Sequence, residues 1–118
     1  MSNGKRQVLI MRNPEFIEVL MVFNTTLDEF DEMRVKNSLA NTFNIDASSF
    51  ETLSLESGSV KLRLKVRKAN IKGNDLNEMV KTFENMGDLV AGYTVQQIQA
   101  EKRNNALGSL FDIQQRVI

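Results

Sequence analysis

Apolar and polar residues alternate most regularly in the middle of the chain. Between residues 60 and 67 every second position is apolar, a period typical of a strand with one buried and one solvated face. The intervening positions are all basic: Lys61, Arg63, Lys65 and Arg67. A second apolar stretch precedes this one, and the residues Glu56-Ser57-Gly58-Ser59 between them are typical of a tight turn. The pattern therefore predicts a β-hairpin.

Two more strands are predicted, one before and one after the hairpin. Residues 16–24 are rich in β-branched and aromatic residues, and one face of that stretch is apolar: Ile17, Val19, Met21 and Phe23. Residues 93–101 show a weaker alternation of the same kind. We therefore expect four strands in all.

Two segments have the spacing of apolar side chains that is typical of helices. The first covers residues 27–43, and carboxylates that suit the positive end of a helix dipole lie near its start: Asp28, Glu29, Asp31 and Glu32. The second follows Asp75, which stands three residues before Glu78 as in a capping box. We expect this second helix to end near Gly87, where a C-terminal cap belongs.

The order strand, helix, strand, strand, helix, strand predicts an α+β fold. Two βαβ halves of this kind form a ferredoxin-like sandwich, a four-stranded antiparallel sheet with two helices on one face. We expect this domain to cover residues 16–101. A flexible leader would occupy residues 1–15, and residues 102–118 would form a tail, either a short helix or a linker.

Composition narrows the chemistry that the chain can perform. The sequence has 118 residues, suited to one domain, and contains neither cysteine nor histidine, which excludes disulfides, thiolate zinc sites and histidine-based triads. No apolar run approaches the roughly 20 residues that span a bilayer. We expect no metal, no cofactor and no small-molecule substrate, and no enzymatic activity beyond a single self-cleavage.

The charges are balanced over the whole chain but clustered locally. Fifteen basic and fifteen acidic residues leave no net charge, which argues against a protein that binds nucleic acid through bulk positive charge. The basic strand face, Lys61 to Arg67, is an interaction surface for a protein partner or simply a solvated face. Nucleic acid is a less favoured partner, because base stacking needs aromatic side chains where this strand has lysine and arginine.

The hairpin turn offers a second candidate site. Gly58 suits a turn that needs a positive φ, and Ser59 follows it directly, so turn formation alone can explain both residues. The sharper interpretation is self-cleavage. A serine hydroxyl that follows a strained peptide bond can attack the preceding carbonyl in an N-to-O acyl shift, and water then hydrolyses the ester.

At this turn the sequence resembles the SEA domain, the juxtamembrane module of mucins, enterokinase and agrin. The stretch Gly58-Ser59-Val60-Lys61-Leu62 is similar to the G-S-V-V-V of self-cleaving members, with Lys61 in place of the second valine. Asn24-Thr25-Thr26-Leu27 looks like the turn that follows the first strand of the family. The resemblance covers residues 16–101.

The resemblance implies an extracellular, membrane-proximal module of a larger membrane-anchored receptor, mucin or adhesion protein. Cleavage between Gly58 and Ser59 would leave a non-covalent heterodimer, so that the partner of each fragment is the other fragment. Asn24 would then be an N-glycosylation acceptor, since Asn24-Thr25-Thr26 fits the N-x-S/T pattern. The alternative is a cytoplasmic ferredoxin-like module that binds a signalling partner through its basic sheet face or a C-terminal helix.

Overall fold

The computed structural model describes residues 15–104, which form one antiparallel sheet and two helices. The strands are β1 (Glu15–Phe23), β2 (Glu51–Glu56), β3 (Val60–Arg67), β4 (Leu89–Val90) and β5 (Tyr93–Asn104). The helices are α1 (Glu32–Phe43) and α2 (Leu76–Glu84). The sheet has the order β2-β3-β1-β5-β4. The predicted α+β class is confirmed.

The expectation of a four-stranded sheet is wrong, because β4 adds a fifth strand. It pairs with the start of β5 through Leu89 opposite Thr94 and Val90 opposite Tyr93. Ala91 and Gly92 connect the two strands with φ values of 55° and 86°. Two successive positive φ angles are typical of the turn that closes a two-residue hairpin, and they allow a strand as short as this one to form.

The central strand is β1, which pairs along its length on both sides. It is antiparallel to β3 from Phe16 opposite Arg67 to Phe23 opposite Val60. On its other side it is antiparallel to β5 from Glu15 opposite Asn104, with an irregularity between Val22 and Phe23. Both faces of β1 carry apolar residues: Ile17, Val19, Met21 and Phe23 lie on the core face, and Phe16 and Val22 lie on the other face.

The core lies on one face of the sheet and is shared by both helices. The side chains of Val60, Leu62, Leu64 and Val66 are fully buried there, which confirms the alternation predicted for β3. The alternating face predicted for β1, Ile17 to Phe23, is buried in the same core. The helices contribute Val35, Leu39, Met79 and Phe83. The Phe43 and Phe83 rings, whose centroids are 4.7 Å apart, join α1 to α2.

Polar caps determine where the helices begin and end. The first helix starts at Glu32 rather than near residue 27, because the Asp31 carboxylate accepts a hydrogen bond from the Arg34 N–H at 3.2 Å. Leu27–Glu29 form a separate 3-10 turn. The predicted cap of α2 is confirmed, since the Asp75 carboxylate accepts from the Glu78 N–H at 3.1 Å. That helix ends at Glu84 with Asn85 as its cap, ahead of Gly87.

The last strand is longer than the sequence pattern indicates. It continues to Asn104 and so includes the first residues assigned to the tail. Predictions for residues 1–14 and 105–118 lie outside the described residues. Within residues 15–104, no helix is long and apolar enough to cross a membrane.

We predict that Phe83→Ala will destabilise the domain by about 3–5 kcal/mol, because it empties a fully buried ring site between the helices and the sheet. Chemical denaturation followed by circular dichroism measures this change. Leu89→Ala is the control, since Leu89 is 67% exposed and its loss should change the free energy of unfolding by less than about 0.5 kcal/mol. Equal effects of the two substitutions would contradict this description of the core.

Candidate functional site

The predicted hairpin is present, and its tip is exposed to solvent. Glu56 is paired with Lys61, so that the connection consists of Ser57, Gly58, Ser59 and the first residue of β3. That residue, Val60, is fully buried and paired with Phe23. The Gly58–Ser59 peptide bond therefore lies in solvent, one residue away from a fixed position in the core.

Gly58 is required by the shape of the turn rather than by lack of space. Its φ is +96°, while a Cβ placed on it would meet no atom within 4 Å. Glycine adopts this angle without steric cost. Among residues 15–104, the non-glycine residues with positive φ are Asn44, Asn74 and Ala91, all outside the hairpin. Ser57 and Ser59 therefore lie outside the left-handed region of φ.

The lysine that replaces valine in the SEA-like stretch fits its position in the sheet. Lys61 is exposed on the face away from the core, between the buried side chains of Val60 and Leu62. Because it lies opposite Glu56, it has a carboxylate beside it across the hairpin. The substitution therefore preserves the alternation of β3.

The four basic residues of β3 share the open face of the sheet with carboxylates from the neighbouring strands. Arg67 donates from Nε to Glu51 of β2 at 2.8 Å. Arg63 lies 3.4 Å from Glu18 of β1, and Arg103 of β5 approaches the same carboxylate at 3.4 Å. Other acidic and basic residues lie beside one another on this face. We call this surface the mixed-charge face: Lys61, Arg63, Lys65, Arg67, Glu18, Glu51, Glu56, Glu101 and Arg103.

Apolar side chains run beneath these charges along the centre of the mixed-charge face. Phe16 and Val22 of β1 are each only 7% exposed, although no helix covers this side of the sheet in the described residues. The Lys65 ammonium lies 4.4 Å from the centre of the Phe16 ring, in cation–π contact. Long charged side chains thus shield the central strand with their aliphatic stems.

Sequence reasoning identified the bases of this face but missed the acids. Glu18, Glu51 and Glu101 come from three strands that are far apart in the chain, and only the strand order brings them beside β3. Knowledge of the strand register would have identified these acids, because Glu18 and Glu51 lie opposite Lys65, one on each side of it. A surface predicted to be basic is therefore nearly balanced in charge.

One ion pair on this face shifts the pKa values of both its members. The hydrogen bond from Arg67 lowers the pKa of the Glu51 carboxyl, and this effect outweighs the opposing effect of burial. The same hydrogen bond raises the pKa of Arg67. Both side chains are well exposed, so water and salt screen the pair.

The predicted glycosylation residue lies in a bend at the end of β1. Asn24 is exposed, and its N–H donates to the Thr94 carbonyl at 2.9 Å. Nearby, the Tyr93 hydroxyl accepts from the Asp31 N–H at 2.9 Å and donates to the Glu29 carbonyl at 3.1 Å. The side chain of Asn24 is therefore accessible on a fixed backbone.

Two of the acidic residues near α1 make structural hydrogen bonds. Asp31 caps the helix, and Glu32 in its first turn accepts a hydrogen bond from Thr52 of β2. No group of three or more carboxylates within residues 15–104 is arranged to hold a metal ion.

Comparison with known proteins assigns no family to these sites. No protein-family model matches the chain, and no curated protein matches it either.

We predict that Glu51→Gln will lower the free energy of unfolding slightly at pH 7 and will have no effect in strong acid. A carboxyl whose pKa is lowered by folding stabilises the protein above its unfolded pKa, near 4.5, and this contribution disappears as the pH falls through the lowered folded value. Denaturant unfolding of both proteins between pH 7 and pH 2 measures the difference.

In the background of Arg67→Gln, the same substitution should show a much weaker pH dependence, because the hydrogen-bond donor is gone. A difference between wild type and Glu51→Gln that stayed constant down to pH 2 would contradict the assignment of this ion pair.

Proposed function

We propose that the chain is a SEA-like, non-enzymatic module of a larger extracellular protein. In this proposal the module lies close to a membrane in a receptor, mucin or adhesion protein, and it cleaves itself once between Gly58 and Ser59. The observation that carries the proposal is the position of this exposed peptide bond relative to the strand order. A cut there would separate the chain into two fragments whose strands alternate as neighbours in the sheet.

The finer description of the fold is part of the proposal. Without the two-residue β4, the strands have the order β2-β3-β1-β5, with one helix after β1 and one after β3. We interpret this as a ferredoxin-like sandwich in which β4 is an addition at the edge. Such a fold has no function of its own, so the function must come from a site.

The proposed reaction needs only the chain and water. The Ser59 hydroxyl oxygen bonds to the Gly58 carbonyl carbon, the bond from that carbon to the Ser59 nitrogen breaks, and the hydroxyl proton passes to the nitrogen. The product is an ester with a free amine on Ser59. Water then hydrolyses the ester to a Gly58 carboxylate and a Ser59 hydroxyl.

The strand order explains how the two fragments would stay together. Residues up to 58 include β1, α1 and β2, whereas residues from 59 include β3, α2, β4 and β5. Of the pairings in the sheet, β2 with β3, β3 with β1 and β1 with β5 all join one fragment to the other. Among the pairings within residues 15–104, only that of β4 with β5 lies inside one fragment. Three ladders of hydrogen bonds would therefore have to open before the fragments separate.

The core is divided between the fragments in the same way. Val35 and Leu39 of α1 belong to the first fragment, while Met79 and Phe83 of α2 belong to the second, and all four are buried in one cluster. Because either fragment alone would expose this apolar surface, the heterodimer is favoured in solution. A pulling force on the parent protein would separate the fragments by opening the sheet.

The exposed position of Asn24 supports a glycosylated, extracellular module, because the acceptor side chain lies at the surface. The charge balance of the mixed-charge face favours the SEA-like proposal over the alternative of a cytoplasmic interaction module. That alternative used the basic strand face or a C-terminal helix; on the strand face Arg63 and Arg67 already have carboxylate partners within the domain, and the helix lies outside the described residues.

We predict that the purified chain will show the masses of residues 1–58 and 59–118 under denaturing conditions, and one mass equal to their sum under native conditions. Ser59→Ala should abolish cleavage because it removes the nucleophile. Ser57→Ala is the matched control, since Ser57 lies in the same exposed turn on the other side of Gly58 and should not affect cleavage. Intact-mass spectrometry in both conditions measures these outcomes.

A single uncut chain under denaturing conditions would refute self-cleavage of this domain. Cleavage that persisted in Ser59→Ala would instead indicate a contaminating protease.

A further inference from the structure

A groove runs between α2 and β5, on the side of the sheet that carries the helices. Its larger part has a volume of about 680 Å³, with Val80 and Lys81 of α2 facing Ala100 and Lys102 of β5. Cavities that hold small molecules in proteins are of this size. Because both elements belong to the part of the chain after Ser59, the groove does not depend on the hairpin tip or on cleavage there.

The floor of the groove is apolar. Val80 is half-buried and packs against the core, and Ala100 is only 7% exposed. A second part of about 250 Å³ lies further along the same helix and strand, beside Met86 and Ile98, which are also half-buried against the core. An alkyl chain in the groove would remove these side chains from water.

Two lysines lie at one end of the groove, one on each wall. Lys81 and Lys102 are both exposed, and neither forms an ion pair with a residue in the described range 15–104. Lys102 lies on the helix side of the sheet, because it is paired with the buried Ile17. The carboxylate of Glu101, which also lines the groove, lies 3.4 Å from Arg103. This end of the groove therefore attracts an anion.

We propose that this groove binds a fatty acid, with its carboxylate between Lys81 and Lys102 and its alkyl chain along the apolar floor. Asn77, one turn before Lys81 on the same face of α2, adds an amide donor at the carboxylate end. The smaller part of the groove is lined by Glu84 and Asp88, which repel an anion. The carboxylate therefore binds at the lysine end, and only the chain extends toward the smaller part.

The test titrates the full chain with decanoate and follows the backbone amide shifts by NMR. We predict saturable shifts at Val80, Ala100 and their neighbours. The dissociation constant should be at least about tenfold lower than for decyltrimethylammonium, which has the same alkyl chain with a cationic head. Acetate should cause no saturable shifts, because it has the carboxylate without the chain.

The double variant Lys81→Gln with Lys102→Gln should raise the dissociation constant of decanoate at least about tenfold, because it removes both cations that hold the carboxylate. Its circular dichroism spectrum should match that of the wild type, since both lysines are exposed. Lys72→Gln is the matched control. Lys72 is also exposed, but it lines a separate cavity of about 200 Å³ between the two helices, so its loss should leave the dissociation constant unchanged.

The absence of saturable binding of decanoate would overturn the proposal. Equal binding of decanoate and decyltrimethylammonium would also overturn it, because the lysines would then select nothing. If Lys72→Gln weakened binding and the double variant did not, the ligand would belong to the cavity between the helices, and the groove between α2 and β5 would be excluded as its site.

Discussion

The pairing of β1 on both sides organises the sheet and, through it, the core. β1 joins β3 on one side to β5 on the other, and its core-facing side chains, Ile17, Val19, Met21 and Phe23, lie under both helices. Because its neighbours in the sheet come from the second half of the chain, neither half can complete the sheet alone. The hairpin tip and the mixed-charge face are both positioned by this arrangement.

The local elements were largely predictable, because their signals lie within a few residues of one another. The alternation of Val60, Leu62, Leu64 and Val66 was sufficient for β3, and Asp75 with Glu78 was sufficient for the start of α2. The start of α1 was misplaced because Asp31 competes successfully with Thr26, which begins only a 3-10 turn without a side-chain cap. A strand as short as β4 leaves no periodicity, and its turn depends on Ala91 at a positive φ, which a sequence gives no reason to expect.

The candidate sites were predictable only in part, because their electrostatics depend on strand order. The bases of β3 were evident, but their carboxylate partners Glu18 and Glu51 are separated from them by many residues and meet them only through the sheet. The exposed turn at Gly58 and Ser59 was evident from residue types alone. The proposed role of the turn depends on strands from before and after it being interleaved in the sheet. That interleaving follows from the whole topology, which no local sequence pattern shows.

We expect the sheet and the core to hold the two halves of the domain together without a covalent link at the hairpin. The most direct test inserts a recognition sequence for a site-specific protease between Gly58 and Ser59, folds the uncut protein, and then cuts it. We predict that the two fragments remain a one-to-one complex in native size-exclusion chromatography and separate only in denaturant. Fragments that separate or precipitate in native buffer as soon as they are cut would show that the sheet and core cannot hold the halves together.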